Sequence, residues 1–161
     1  MRKSSICKTK NPKRSKSWNP FTTPDKTKLY FLCNARENEC RKIMCMFKEV
    51  NSLPYEFIWK TSANEVALQE KVFLVCLKMS RLEDDIAHTK SSVCLSDAVK
   101  PILIILHYCV KGVQLDISLP NEDARFEDVI NILYSDESGC YECNENRIAS
   151  KKMKKVVADF V

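Results

Sequence analysis

The run from Pro101 to Val110, PILIILHYCV, constrains the fold more than any other stretch of the chain. It is apolar on nearly every side, and a helix of that kind has to lie at the centre of a core with little contact to solvent. Pro101 suits the first turn of a helix, and Gly112 is well placed to end one. We therefore predict a buried helix over residues 100–110, around which the rest of the domain packs.

The segment before this run predicts a small sheet and one further helix. Tyr55–Thr61 and Lys71–Leu77 are rich in residues that favour strands, and Ser62–Asn64 can form a turn between them, so we predict a hairpin. A helix over Arg81–His88 follows, with acidic residues in its first turn. Val93–Leu95 is predicted to be a short strand. Together these elements indicate an α+β fold, with a small sheet packed against helices.

Residues 28–54 form a separate segment with a pattern of its own. The apolar run LYFLC predicts a strand, and Pro54 marks the end of the element that follows it. That element is predicted to be a helix, because four apolar residues recur at helical spacing: Cys40, Ile43, Met44 and Phe47. We interpret residues 28–54 as a strand–helix extension of unknown role, preceding a domain over residues 55–161.

The run FEDVINILYSDESGCYECNENRIA, residues 126–149, has the pattern of a docking surface. Four apolar residues fall at the i, i+3, i+4, i+7 spacing of one helix face, a turn over Asp136–Gly139 follows, and a second short helix is predicted from about Tyr141. A helix presenting this face, with a tyrosine at its end, could bind another protein. The predicted protein-binding residues are Phe126, Val129, Ile130, Leu133, Tyr134 and Asp136.

The charge of the chain is unevenly distributed. The net charge is +5, yet residues 1–28 contain nine Lys or Arg and one acidic residue, which leaves the remaining 133 residues with 17 basic and 20 acidic side chains. Residues 1–27 also contain three of the six prolines, so we predict a disordered basic tail. Its basic cluster could act as a nuclear-import signal, contact nucleic acid or merely improve solubility. The cluster comprises Lys10, Lys13, Arg14 and Lys16.

Nine cysteines would suggest a disulfide framework in a small secreted protein, but the count is odd, and the amino-terminal residues contain no apolar segment of the signal-peptide type. We therefore expect a reducing environment, with a nuclear and cytoplasmic location. The longest apolar run, Val72–Leu77, is six residues, far below the roughly 18 that a membrane span needs, so we expect no membrane association.

Several of these segments resemble the adaptor subunits of cullin–RING ubiquitin ligases, the S-phase-kinase-associated-protein family and its relative elongin C, which share the BTB/POZ fold. Val93–Asp97 and Ile105–Cys109 stand where that family has a short strand and the end of a helix. Arg125–Ile130, Leu133–Asp136 and Ile148–Ala149 stand where it has an interaction helix, an Asn-Tyr-Leu-Asp element and a closing helix. The resemblance covers about residues 56–150.

The resemblance implies a non-catalytic adaptor in ubiquitin conjugation, bridging a cullin-type scaffold and an F-box-type substrate receptor. In the family the Asn-Tyr element contributes to the cullin contact, so that role carries over to Tyr134. The family's asparagine is replaced here by Leu133, which removes a polar contact, and residues 28–53 have no counterpart. Tyr134 could equally be an aromatic residue that closes the core.

Rival chemistries have less support in the sequence. Cys140 and Cys143 form a CxxC pair that could supply half of a zinc site, but no second pair has suitable spacing. With two glycines there is no phosphate-binding loop, and neither HExxH nor a nucleophile elbow is present, so we expect no enzyme activity, no cofactor and no small-molecule substrate. The alternative function is a small basic nuclear protein that binds nucleic acid through its Lys/Arg-rich termini.

Overall fold

The chain folds around a mixed six-stranded sheet flanked by three α-helices, as a computed structural model shows for residues 24–113 and 119–160. The α-helices and strands, in chain order, are β1 Lys28–Leu32, α1 Glu37–Val50, β2 Glu56–Lys60, β3 Val72–Leu77, α2 Leu82–Ser92, β4 Ile102–Tyr108, β5 Asp128–Ser135, β6 Gly139–Cys140 and α3 Asn144–Ala158. The prediction of a fold containing both helices and a small sheet is confirmed.

The strands lie in the order β2-β1-β3-β4-β5-β6. The first five are parallel to one another and β6 is antiparallel to β5. The connections that contain α1 and α2 therefore cross over the sheet, as parallel pairing requires. The order in which strands are added to the sheet reverses at β1, because β2 lies on one side of β1 and β3 lies on the other.

Helices cover both faces of the sheet. α1 and α3 pack on one face, where Phe31 of β1 and Phe73 of β3 stack with ring centroids 5.0 Å apart. α2 packs on the other face against Leu74 and Leu103. Residues of β3 and β4 are consequently buried on both sides, which is why these strands are continuous apolar runs without alternation.

That double burial explains the first error of the sequence analysis. The predicted helix over residues 100–110 is wrong, because this run is β4, an inner strand of the sheet. An apolar run that is buried all round shows no periodicity, so its pattern cannot separate a helix from an inner parallel strand. The expected central position is correct, since Ile104 and Ile105 are fully buried on opposite faces.

The predicted helix over residues 126–133 is also wrong, because residues 128–135 form β5. Ile130 and Ile132 face α1 and α3, whereas Val129 packs on the α2 side. The helical spacing of the apolar residues was accidental, since β5 is almost wholly buried and has apolar residues on both faces. The turn after Asp136 and a helix beyond Tyr141 are confirmed, although the helix is α3, which begins at Asn144 and extends to Ala158.

The predicted strands β2 and β3 exist, but they do not form a hairpin. Each pairs with β1 in parallel, from opposite sides. The strand and helix predicted within residues 28–54 are confirmed, and they supply β1 and the main core helix α1, so this segment is integral to the sheet. The strand predicted over residues 93–95 is wrong, because Cys94 lies in a turn with a φ of 55°.

The helix predicted over residues 81–88 is confirmed as α2, which extends to Ser92. The Asp85 carboxylate in its first turn accepts a hydrogen bond from the Ser80 amide. Gly139 has a φ of 58°, and a side chain there would collide with Met46 of α1.

No helix in the described part of the chain is long and apolar enough to cross a membrane.

Candidate protein-interaction surface

The carboxyl ends of β1 to β5 meet at one edge of the sheet, because these strands are parallel. Open parallel sheets commonly bind their ligands at this edge. The loops that follow the strands begin at Cys33, Thr61, Lys78, Cys109 and Asp136. Exposed apolar or reactive side chains at this edge are therefore the candidates for a binding site.

A group of large apolar side chains is exposed at this edge. Met79 is 58% exposed after β3, Tyr108 is 51% exposed at the end of β4, and Val110 is 47% exposed just beyond it. The Tyr134 ring contacts the Tyr108 ring edge-on, with centroids 5.7 Å apart. Val113, 61% exposed, is tied to this group by a hydrogen bond from its amide to the Val110 carbonyl. We call these five residues the carboxyl-edge patch.

The loop that carries Met79 is held in place by hydrogen bonds. Asp85 Oδ2 accepts hydrogen bonds from the amides of Met79 and Ser80, both at 2.9 Å, and its Oδ1 accepts one from the Ser80 hydroxyl. Arg36, which precedes α1, donates from Nη1 to Met79 Sδ at 2.9 Å and pairs with Glu39. The patch thus has a fixed shape and a charged rim, the arrangement expected of a surface that binds a protein.

Cys109, at the centre of this edge, is a possible nucleophile by position alone. Its thiol is buried and directed at the carbonyls of Val110 and Val113, at 3.7 and 3.6 Å. Its own carbonyl accepts a hydrogen bond of 2.7 Å from the Tyr141 hydroxyl. Within residues 24–113 and 119–160, no imidazole or carboxylate is hydrogen-bonded to this thiol, so the described residues supply no base to activate it.

The two histidines have other surroundings. His107 is buried in β4, and its Nε2 lies 2.8 Å from Asn131 Oδ1 in β5, while the Asn131 amide donates to the Pro120 carbonyl. Burial lowers the pKa of His107, and the hydrogen bond to Asn131 opposes that shift in part. The imidazole therefore joins two strands as a neutral donor. His88 lies on the exposed side of α2.

The CxxC pair has a structural role in this fold. Cys140 is buried beside α1, and burial raises the pKa of its thiol to about 12. Cys143 caps α3, because its Sγ accepts a hydrogen bond from the Asn146 amide at 3.4 Å. No group of three or more potential metal ligands occurs among the residues that the structure describes.

Most of the predicted docking residues are inaccessible. Phe126, Val129, Ile130 and Leu133 are at most 5% exposed, so the prediction that they form an interaction surface is wrong for the folded chain. The physical reason is that they lie in or beside an inner strand. Tyr134 is half-buried within the carboxyl-edge patch, and Asp136 is exposed next to it, so a contact role for these two stays a prediction.

Met79, Tyr108 and Val110 were not predicted from the sequence. Tyr108 and Val110 could be placed at the carboxyl end of the sheet only if residues 102–108 were recognised as a strand. The seven residues ILIILHY are short for a helix and rich in β-branched side chains, and that was the available signal. The basic cluster of Lys10, Lys13, Arg14 and Lys16 lies outside the described residues.

Comparison with known proteins adds no assignment, because no protein-family model, curated protein or solved structure matches this chain.

Proposed function

We propose that this chain is a non-catalytic protein-interaction domain, which binds a partner polypeptide through the carboxyl-edge patch. The observation that supports the proposal most is the exposure of Met79, Tyr108 and Val110 at the carboxyl ends of two paired strands, where parallel sheets bind their ligands. Isolated exposed apolar residues are common on proteins, but a group with a charged rim is typical of an interface.

The chemistry of the patch suits a protein partner better than a small molecule. It offers an aromatic ring, a thioether and aliphatic side chains, and aromatic and methionine side chains are enriched where proteins bind each other. Tyr108 and Tyr134 together present two hydroxyl groups on a large apolar area, which can bury well while still forming hydrogen bonds.

A narrower form of the proposal names the partner as a cullin-type scaffold, with an F-box-type receptor bound elsewhere on the chain. Tyr134 and Asp136 are the candidate contacts in that form. Its support is smaller than the sequence suggested, because the helices on which the resemblance relied at residues 100–110 and 126–133 are strands. The broader proposal does not depend on that resemblance.

Affinity purification followed by mass spectrometry tests the broader proposal. The test variant combines Tyr108→Ala with Val110→Ser, and the matched control is Val50→Ser, an equally exposed valine (48%) at the other end of the sheet, where α1 ends. We expect a set of proteins captured by the native chain and by the control but reduced at least tenfold with the test variant. An identical set with all three chains would contradict the proposal.

A purified cullin scaffold tests the narrower form. Tyr134→Ala should weaken binding by about 2 kcal/mol or more if the ring is a hot spot. Because Tyr134 also packs on the core, Tyr134→Phe serves as the control that keeps the ring and removes only the hydroxyl. Failure of the native chain to bind the scaffold would rule out this form and leave the broader proposal standing.

One observation favours the alternative function, nucleic-acid binding. Lys151, Lys154 and Lys155 are exposed on one side of α3, so basic residues outside the amino-terminal segment also form a row. Phosphate contacts predict an affinity that falls steeply with salt, with a log–log slope near −0.9 for each phosphate neutralised. Deleting residues 1–23, which leaves β1 whole, should weaken such binding, whereas capture through the carboxyl-edge patch should not change.

A further inference from the structure

The second surface of interest is the outer edge of β2, at the opposite side of the sheet from β6. On its inner side β2 pairs with β1 along all five residues. The Glu56 amide donates to the Thr27 carbonyl, and the Lys60 carbonyl accepts from the Cys33 amide, so both residues direct their main-chain groups towards β1. By the alternation of a strand, Phe57 and Trp59 direct theirs outwards.

No strand pairs with this outer edge in the part of the chain that the structure describes. Natural edge strands are commonly protected by a proline, a bulge or an inward-pointing charge. β2, with the sequence EFIWK, has none of these between its ends, and its only charges are Glu56 and Lys60 at the two termini. An unprotected edge of this kind is a template for pairing with another strand.

The sequence of β2 is complementary to itself in the antiparallel direction. If a two-fold axis passes between Ile58 of one copy and Ile58 of the other, Phe57 faces Trp59 of the second copy and Glu56 faces Lys60 of the second copy. The arrangement places an aromatic pair and an opposite-charge pair across the strands, and symmetry produces each of them twice. Both kinds of cross-strand pair are favourable.

The main-chain groups permit the same register, and the charges select it among the three that they permit. In an antiparallel ladder the residues that exchange hydrogen bonds must both face the partner, and here these are Phe57 and Trp59. Shifting the register so that Phe57 faces its own copy places Glu56 opposite Ile58, and centring it on Trp59 places Lys60 opposite Ile58. Among these three registers, only the one centred on Ile58 also pairs Glu56 with Lys60.

The side chains of β2 leave room for this pairing. Phe57 and Trp59 lean onto Phe31 on the α1 side, with ring centroids 4.4 and 5.2 Å away, so they do not block the edge. On the opposite face Glu56 is exposed, and Lys60 makes only a loose pair with Glu65 at 3.6 Å. Both charged groups are therefore available to a second copy.

We propose that two copies of this chain associate through β2, in antiparallel register about Ile58, to form one continuous sheet of twelve strands (two copies of six). This inference is independent of the proposed function, because it uses the lateral edge of β2 and none of the residues of the carboxyl-edge patch. The carboxyl ends of the two β2 strands point in opposite directions in such a dimer. It would therefore carry one carboxyl-edge patch at each end and could bind two partners.

Charge reversal tests the proposal, with sedimentation velocity of the full-length chain over a range of concentrations as the readout. The native chain should show a monomer–dimer equilibrium. Glu56→Lys alone, or Lys60→Glu alone, places like charges opposite each other twice, and each should weaken the dimer about tenfold or more. The double variant restores both opposite-charge pairs and should recover the native affinity.

Mixing the two single variants gives the sharpest result. One chain then has lysine at both positions and the other has glutamate at both, so only the mixed dimer has opposite charges throughout. We expect the mixture to dimerise at concentrations where each variant alone is monomeric. Circular dichroism of each variant confirms that it is folded.

Three outcomes would overturn the proposal. A native chain that stays monomeric at every concentration would mean that the edge is closed, for example by residues 1–23 of the same chain, or is kept for a different polypeptide. A dimer that persists unchanged in both single variants would place the contact elsewhere. A mixture no more associated than its components would exclude the antiparallel register.

Discussion

The two lateral edges of the sheet, beside β5 and beside β2, differ in how the rest of the chain covers them. On the β5 side, β6 pairs with the carboxyl end of the strand. Further along β5, polar side chains of α3 form hydrogen bonds with its main-chain groups. On the β2 side, the described residues contribute no such cover. The contrast shows that the fold can close an edge without a full strand, and that the described residues do so on the β5 side and not on the β2 side.

The closure of β5 depends on Asn146, the third residue of α3. Its Oδ1 accepts a hydrogen bond from the Leu133 amide at 2.8 Å, and its Nδ2 donates to the carbonyls of Leu133 and Tyr141 at 3.0 and 2.8 Å. One side-chain amide thereby imitates the main chain of a neighbouring strand. Lys152, further along α3, donates to the Val129 carbonyl at 2.8 Å.

The largest effect on stability should come from removing the side-chain amide of Asn146. Asn146→Ala leaves the buried amide and carbonyl of Leu133 and the carbonyl of Tyr141 without their partner, and each unsatisfied buried group costs about 1–3 kcal/mol. We expect the free energy of unfolding to fall by about 3 kcal/mol or more, measured by urea denaturation. Asn144→Ala, at an exposed position on the same turn of α3, is the control and should change it little. Equal losses in both variants would refute the special role of Asn146.

A smaller effect should follow from the loss of the second contact. Lys152 Nζ also bonds to Asp128 Oδ1 at 3.2 Å and to the Asn121 carbonyl at 3.3 Å, in a position that is partly open to water. Lys152→Met keeps most of the apolar stem and should lower the free energy of unfolding by about 1 kcal/mol. The neighbouring exposed Lys151→Met is the matched control, and a loss of similar size there would show that the contact of Lys152 with β5 contributes nothing.

The pH dependence of stability tests the contact between β4 and β5. Burial, the largest cause, holds the pKa of His107 below its ordinary value of 6.5, so the unfolded chain takes up a proton at a pH where the folded chain does not. The contribution of His107 is fully present above about pH 6.5 and is lost as the pH falls towards the lower folded pKa. Urea denaturation at a series of pH values from about 7.5 to about 5 measures this effect. The free energy of unfolding of His107→Gln should decline less steeply with falling pH than that of the native chain.

Exposed His88 provides the comparison for that experiment. His88→Gln should keep the decline seen in the native chain. If both variants decline as the native chain does, the buried imidazole does not control this part of the pH profile.

The smallest effect is expected at the open edge. Glu56→Lys changes an exposed side chain that has no hydrogen bond or ion pair among the described residues, so the stability of the dilute monomer should change by less than about 0.5 kcal/mol. The measurement is urea denaturation at low protein concentration. A loss of several kcal/mol would show that Glu56 supports the fold of a single chain, and the edge could then not be regarded as free.

Much of the fold was predictable where the sequence has a clear period. The amphipathic pattern of Cys40, Ile43, Met44 and Phe47 identified α1, and all four residues are buried as that pattern requires. β1, β2, β3 and α2 were also located from local composition. Their pairing was not, because a parallel arrangement depends on crossovers that no local turn signal records.

The errors concentrate in β4 and β5, which are buried on both faces. Ile102–Tyr108 and Asp128–Ser135 lack the alternation that distinguishes a half-exposed strand, and the apolar residues of β5 matched a helical spacing by chance. The candidate surface was missed for the same reason, since Met79, Tyr108 and Val110 come to the same end of the sheet only when β3 and β4 are parallel strands. Tyr134 was found, although as the end of a helix rather than of a strand.

Amide hydrogen exchange, measured at a low and a high protein concentration, compares the two edges most directly. We expect the Leu133 amide, held by Asn146, to exchange slowly at both concentrations. The amides of Phe57 and Trp59 should exchange rapidly in the dilute sample and become protected in the concentrated one, as β2 of a second copy pairs with them. Protection of Phe57 and Trp59 as strong as that of Leu133 in the dilute sample, or no protection at either concentration, would show that the edge of β2 is not open to a second copy.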